Sequence, residues 1–246
     1  MSDFTIPDYT GSDPEPGTLY VVSTPIGNLH DITLRALHIL YRVNLVAAED
    51  TRTTSNLLRY YGIEVPLLSL NARNERLRIP AILARLERGE SVAVVSDAGT
   101  PGISDPAAQL IAETMAAGYE VSAVPGASSL MAALVSSGLR ISSFVFEGFL
   151  PVKKRRRARL QRIAEEERAV VLFESPHRVR RTIKELAEAC GDRRVAICRE
   201  LTKKFEEIRQ GSLEEIAEFL EEKAPRGEYV IVLDARRERK EERTHS

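Results

Sequence analysis

The chain has 246 residues and a net charge of −1, enough for one large domain or two smaller ones with cores of their own. Hydrophobic residues make up 43% and charged residues 29%, the balance of an ordinary globular chain, and no apolar run reaches the length that spans a bilayer. The N-terminus lacks the basic start and apolar core of a secretion signal. The two cysteines, Cys190 and Cys198, show neither metal-type spacing nor a disulfide framework, so a reducing cytoplasm is expected.

Residues 1–17 hold Pro7, Pro14 and Pro16, four acids and no Lys or Arg, which reads as a flexible leader. Short apolar, β-branched runs then alternate with amphipathic ones. Residues 19–23, 45–48, 91–96 and 120–124 are expected to be strands, buried on both faces because they are almost continuously apolar. Helices are expected at 33–41, 53–61, 73–88 and 106–117. Gly62, Gly89 and Gly118 follow three of them, as helix ends prefer. Such alternation predicts βαβ units and a mostly parallel sheet in an α/β domain, residues 18–125.

A second α/β domain is expected over residues 126–234. Its helices are placed at 128–137, 153–167, 178–190 and 213–222, and its strands at 143–147, 169–173, 194–199 and 228–233. Residues 205–210 read as a further strand. The longer connections make a mixed sheet plausible. Residues 235–246 are charged and polar, a frayed tail.

Three loops follow expected strands, the ends at which α/β proteins place ligands. They are Ser23-Thr24-Pro25-Ile26-Gly27-Asn28-Leu29, the stretch from Ser96 to Pro106, and Val124-Pro125-Gly126-Ala127-Ser128-Ser129. Glycine lets a ligand approach the backbone and proline stiffens the loop. Ser128 or Ser129 can also cap the helix that follows. One such loop is simply a tight turn; three in succession point to a site. No G-x-G-x-x-G, P-loop or G-x-S-x-G pattern occurs. The four histidines form no metal-ligand set.

Charge is uneven. Between Gly148 and Ala164 lie seven bases (Lys153, Lys154, Arg155, Arg156, Arg157, Arg159, Arg162) and no acid. A charge run is commonly a solvated helix face. With no acid in the run to balance it, contact with RNA phosphates is the sharper expectation, and Arg178, Arg180 and Arg181 can extend the patch.

Several blocks together carry a family resemblance. Ser23-Thr24-Pro25-Ile26-Gly27-Asn28-Leu29 with Asp31-Ile32-Thr33-Leu34-Arg35-Ala36-Leu37 resembles the opening motif of the 16S rRNA 2′-O-ribose methyltransferase I family. Ala48-Glu49-Asp50-Thr51-Arg52, Ser96-Asp97-Ala98-Gly99-Thr100-Pro101, Pro125-Gly126-Ala127-Ser128-Ser129 and Phe173-Glu174-Ser175-Pro176-His177-Arg178 resemble its later blocks. So do the run from Arg199 to Glu207 and the short Arg226-Gly227-Glu228. The blocks keep the family's order from Gly17 to about Leu233, nearly the whole folded chain.

The resemblance implies two α/β domains of tetrapyrrole-methylase type, a homodimer, and S-adenosylmethionine folded into the cleft between the domains. Carried over by motif, Pro25, Ile26, Gly27 and Asn28 line the cleft. Asp97, Ala98, Gly99, Thr100 and Ile103 meet the amino acid and ribose parts of the cofactor. Ser128 and Ser129 reach its carboxylate or sulfonium region, and Phe173, Glu174, Leu201, Gly227 and Tyr229 hold the adenine side. The implied acceptor is the ribose of a decoding-centre cytidine in the assembled 30S subunit, with no membrane involved. Members of the family often continue past the last strand into a small helical module, which the stretch 235–246 is too short and polar to form.

A ribose 2′-hydroxyl is a weak nucleophile that gains from a general base. Glu49, Asp50 and Glu174 are the candidates, with His177 behind them. Glu49 and Asp50 equally suit a helix cap or a pair with Arg52, and His177 a helix start. Two other functions compete. One is methylation of a small tetrapyrrole, which shares the fold and cofactor. The other is a binding protein without turnover.

Overall fold

The computed structural model describes residues 13–103, 107–222 and 224–236. Leader residues 1–12, loop residues 104–106 and tail residues 237–246 lie outside the described residues. The chain divides into two compact units, Met1–Ser128 and Ser129–Ser246.

The first unit runs β1 (Thr18–Val22), α1 (Leu34–Arg42), β2 (Leu45–Ala48), α2 (Thr51–Tyr60), β3 (Leu67–Ser69), α3 (Glu75–Glu87), β4 (Val92–Val95), α4 (Ala107–Ala116) and β5 (Glu120–Val124). Its sheet has the order β3-β2-β4-β1-β5, and every pairing is parallel. Successive strand residues face opposite ways, so the sheet has two buried faces. Tyr20, Val22, Val46, Ala48, Ala93 and Val95 pack with α1 and α2. Leu19, Val21, Leu45, Ala47, Val92 and Val94 pack with α3 and α4. Covering both faces is what makes β1, β2 and β4 apolar throughout.

Local chemistry sets the helix starts. Thr33 caps α1 by accepting from the Ala36 N–H at 3.1 Å, and Asp50 caps α2 from the Arg52 N–H at 2.9 Å. Gly62, Gly89 and Gly118 each take positive φ just past a helix.

Two sequence expectations need correcting. β5 is an edge strand, with Glu120 and Ala123 exposed, so it is not buried on both faces. β3 was not expected, because three half-buried residues behind Pro66 give too short a pattern.

The second unit runs α5 (Ser129–Ser136), β6 (Phe144–Phe149), α6 (Arg156–Glu165), β7 (Ala169–Glu174), α7 (Val179–Cys190), β8 (Arg194–Arg199), β9 (Glu207–Ser212), α8 (Leu213–Glu222) and β10 (Tyr229–Leu233). The sheet order is β6-β7-β10-β8-β9, with β6–β7 parallel and the other pairs antiparallel. The expected mixed sheet is therefore present. α6, α7 and α8 close one face over Val170, Leu172, Val195, Ile197, Ile231 and Leu233. α5 packs by the other face, where the Ala133 carbonyl accepts from Cys198 Sγ at 3.9 Å. α6 starts at Arg156, later than the expected 153, because Arg155 takes left-handed backbone, φ 63°. Cations at a helix N-terminus oppose the helix dipole, which agrees with the delay. Among the described residues no helix is long and apolar enough to cross a membrane.

Candidate active site

In a parallel sheet every strand delivers its outgoing loop to the same edge. In the first unit the loops after β1, β2, β4 and β5 meet there. Thr24 and Gly99 pair through Thr24 N–H to the Gly99 carbonyl, 2.9 Å, and Gly99 N–H to the Thr24 carbonyl, 3.1 Å. The Ser23 and Thr100 hydroxyls sit 2.8 Å apart, and Thr24 Oγ1 donates to the Ser96 carbonyl at 3.2 Å. Ser23 N–H reaches the Val124 carbonyl at 3.2 Å. Gly126 is pressed onto Ser23: a Cβ there would lie 2.9 Å from Ser23 Cβ. Three of the loops singled out in the sequence thus form one knot.

Within that knot Pro25 and Ile26 are buried, whereas Gly27 and Asn28 are exposed. Asn28 spends its side-chain oxygen on the His30 N–H at 3.1 Å. Asp97 and Ala98 are exposed, Gly99 is buried against Ile26 and Ala127, and Thr100 is half-buried. Ile103 is 44% exposed. Ser128 ends the first unit and Ser129 begins α5, both half-buried.

The β2 loop brings the carboxylates. Glu49 Oε2 accepts from the Asp97 N–H at 3.4 Å, and Asp97 Oδ1 accepts from the Asp50 N–H at 3.1 Å. The two loops are cross-tied, and three acids crowd one rim. Their fates differ. Arg52 grips Asp50 through Nε at 3.1 Å and Nη2 at 2.6 Å, which holds its pKa down at about 2. Asp97 is pushed the other way, above the usual carboxylate range, chiefly by desolvation. The cap-and-pair alternative read from the sequence describes Asp50 well.

In the second unit the ends of β7 and β8 meet the start of β10, where Tyr229 pairs with both Glu174 and Arg199. Phe173 packs edge-on against Phe146 and Phe149, with ring centroids 4.9 and 5.7 Å away. Leu201 and Tyr229 are buried. Gly227, at φ 74°, lies against the Glu200 side chain so closely that a Cβ would come within 2.3 Å of it.

Glu174 belongs to the frame of this unit. Its side chain is 0% exposed and pairs with Arg178 at 3.1 Å. It accepts from the Ser175 N–H at 2.9 Å and from the Thr182 hydroxyl at 2.7 Å. The chain of contacts continues from Thr182 to Arg156 Nη2 at 2.8 Å and from Arg156 Nε to Glu185 at 2.7 Å. Sequence reasoning missed this network, since Thr182 and Glu185 look like ordinary helix residues.

The basic run therefore needs a correction. Arg156 is buried and committed to Glu185, Thr182 and the Pro151 carbonyl, so it is no RNA contact. Arg178 spends its guanidinium on Glu174 and the Leu150 carbonyl. Arg159 pairs with Glu147 at 3.0 Å. Lys153, Lys154, Arg155, Arg157 and Arg162 are exposed. The acids that answer the run come from outside it in sequence. Among the described residues no cluster of His, Cys, Asp or Glu could hold a metal. A hollow lined by Cys190, Arg193, Asp234 and Arg236 opens at the far end of the second sheet, away from Glu174 and Leu201.

The chain belongs to the tetrapyrrole (corrin/porphyrin) methylase family, whose model matches residues 18–217, and is a methyltransferase by that membership. Within that class it groups with proteins named ribosomal RNA small subunit methyltransferase I. It is 49% identical to the one from Thermotoga maritima over 89% of this chain and 99% of that protein. Identity to the Synechocystis sp. protein is 47%, over 88% of this chain and 78% of that one. The Xylella fastidiosa protein is 48% identical over 89% and 81%. Among solved structures, cobalt precorrin-4 methyltransferase matches with a TM-score of 0.65 at 18% identity, covering 89% of this chain and 95% of that one. Uroporphyrin-III C-methyltransferase from Thermus thermophilus matches at 0.61 and 20%, covering 88% and 94%. These two share the fold.

Proposed function

We propose that this protein transfers a methyl group from S-adenosylmethionine to the ribose 2′-hydroxyl of a decoding-centre cytidine in 16S rRNA. The assembled 30S subunit is its substrate, and it works as a cytoplasmic homodimer. The observation that carries this reading is the 49% identity to a ribosomal RNA small subunit methyltransferase over almost its whole length.

The first unit's edge suits the donor. Gly27 leaves backbone uncovered, and Gly126 keeps the β5 loop tight on Ser23. Asp97 offers a carboxylate to hydroxyl or ammonium groups beside them. S-adenosylmethionine, when bound, supplies a methyl group on a good leaving group, so positioning accounts for much of the acceleration. Pro25–Asn28, Asp97–Thr100, Ile103 and Ser128 are the first unit's donor-holding residues. Ser129, Phe173, Leu201, Gly227 and Tyr229 are those of the second.

Among the base candidates Glu49 is the best placed. Asp50 is too weak a base with Arg52 on it, and Glu174 is sealed in a network. Glu49 would accept the proton that the acceptor hydroxyl gives up on methylation. Lys153, Lys154, Arg155 and Arg157 meet backbone phosphates.

The experiment is methyl transfer from labelled donor to 30S subunits lacking the modification, with the labelled nucleotide mapped. Label on one cytidine ribose supports the reading. Label on a precorrin-type acceptor and none on RNA would transfer the protein to the small-molecule branch of the fold.

A further inference from the structure

β3 runs parallel to β2, so the turn that leaves it emerges on the same sheet edge as Glu49 and Asp50. That turn is held by its own side chains. Asn74 Oδ1 accepts from the Asn71 N–H at 2.8 Å, and Asn74 Nδ2 donates to the Ser69 carbonyl at 3.2 Å. Asn71 Oδ1 accepts from the Arg73 N–H at 3.0 Å, and its Nδ2 donates to Ser69 Oγ at 3.2 Å. On this frame stand Arg73, Arg76 and Arg78, all exposed, and Leu77, 81% exposed.

The three arginines differ from most others in the molecule. Arg52, Arg85, Arg88, Arg156 and Arg168 each grip a carboxylate. Among the described residues the side chains of Arg73, Arg76 and Arg78 have no ion pair or hydrogen bond. Two of them lie on the first turn of α3, where the helix dipole disfavours cations. The nearest acid in sequence, Glu75, is half-buried. Intramolecular energetics thus give no reason for the cluster, whereas an external polyanion would.

We infer that the β3–α3 junction is a phosphate-binding surface for the RNA substrate, with Arg73, Arg76 and Arg78 on backbone phosphates and Leu77 against a ribose or base. The inference rests on the RNA-acceptor reading above. It adds a contact surface on the first unit to the basic run of the second. Cations at the rim and the acids Glu49, Asp50 and Asp97 further along the edge divide the labour: phosphates are held by the arginines and repelled from the carboxylates, which steers a ribose hydroxyl toward them.

The test compares wild type with R73Q/R76Q/R78Q in two assays, cosedimentation with unmodified 30S subunits and methyl transfer to them, each across a salt series. The triple variant is expected to keep its melting temperature and its affinity for S-adenosylmethionine. It should raise KM for subunits roughly tenfold while changing kcat little. Its log–log salt dependence should be shallower by about 2, since each phosphate contact to a single strand contributes roughly 0.7. A variant with wild-type subunit binding and wild-type salt slope overturns the inference. Wild type that binds subunits without methylating them sinks the activity reading alone, because the variant's binding still judges the surface. Wild type that neither binds nor methylates subunits overturns both.

Discussion

Glu49 and Asp50 leave the same strand end, yet their neighbours assign them different chemistry. Asp50 is a helix cap clasped by Arg52, and Glu49 faces the Asp97 loop. E49Q is expected to lower kcat on small subunits by roughly 10²–10⁴, the range of a lost general base, with donor affinity kept. D50N should lose far less, because asparagine caps a helix as well as aspartate does. An isothermal titration of donor beside single-turnover rates separates the two. The pKa of Asp50 also fixes a sign. It is depressed to about 2 in the folded protein, so its contribution to stability is present above the ordinary aspartate value near ~3.9. That contribution is lost as pH falls toward about 2. The melting-temperature gap between wild type and D50N should therefore shrink from pH 5 to pH 2. Asp97 has the opposite sign. Its raised pKa means that its charge opposes folding at neutral pH, so D97N should be no less stable than wild type at pH 7 while losing donor affinity. Calorimetry alongside donor titration would show whether both hold. Cys198 is fully buried and its thiol is pushed up to about 11; it should react with a thiol reagent at pH 8 only once the second unit unfolds.

At the scale of elements, the strands called from continuous apolarity, β1, β2 and β4, lie where the pattern put them, because both their faces are covered. The pattern fails at the sheet margins. β3 is too short to show a period, and β5 has its apolar residues without a neighbour beyond it. The knot at the strand ends makes one element-level prediction. G126A must push against Ser23, whose Cβ would be 2.9 Å away, and overpacking of this kind costs about 1–3 kcal/mol. Crowding of the donor loops should lower donor affinity as well, readable by titration at a temperature where the variant is folded. Glu174 gives a contrasting case. E174Q leaves Arg178 without its carboxylate and weakens the network through Thr182, so the second unit should lose stability. Its kcat per folded molecule should stay near wild type, whereas a catalytic base would show the reverse.

For the molecule as a whole, the composition is near neutral, so RNA affinity must come from patches. K153Q/K154Q/R157Q should weaken subunit binding and flatten its salt dependence without a change in melting temperature. R156Q should instead destabilise the second unit, because it strips the partner from Glu185 and Thr182. Chemical denaturation set beside a binding isotherm distinguishes these outcomes. By itself the sequence determined the strand–helix alternation, the loops at the strand ends and the family. Each of these is written in residues close together along the chain, through hydrophobic period, turn chemistry and short motifs. Only the tertiary structure decided which charged side chains are available. Asp97 meets Asp50 across 47 positions and Arg156 meets Glu185 across 29, and no local pattern records such pairings. A charge is free or spent according to what folding brings beside it, as Glu174 beside Arg178 and Arg156 beside Glu185 show.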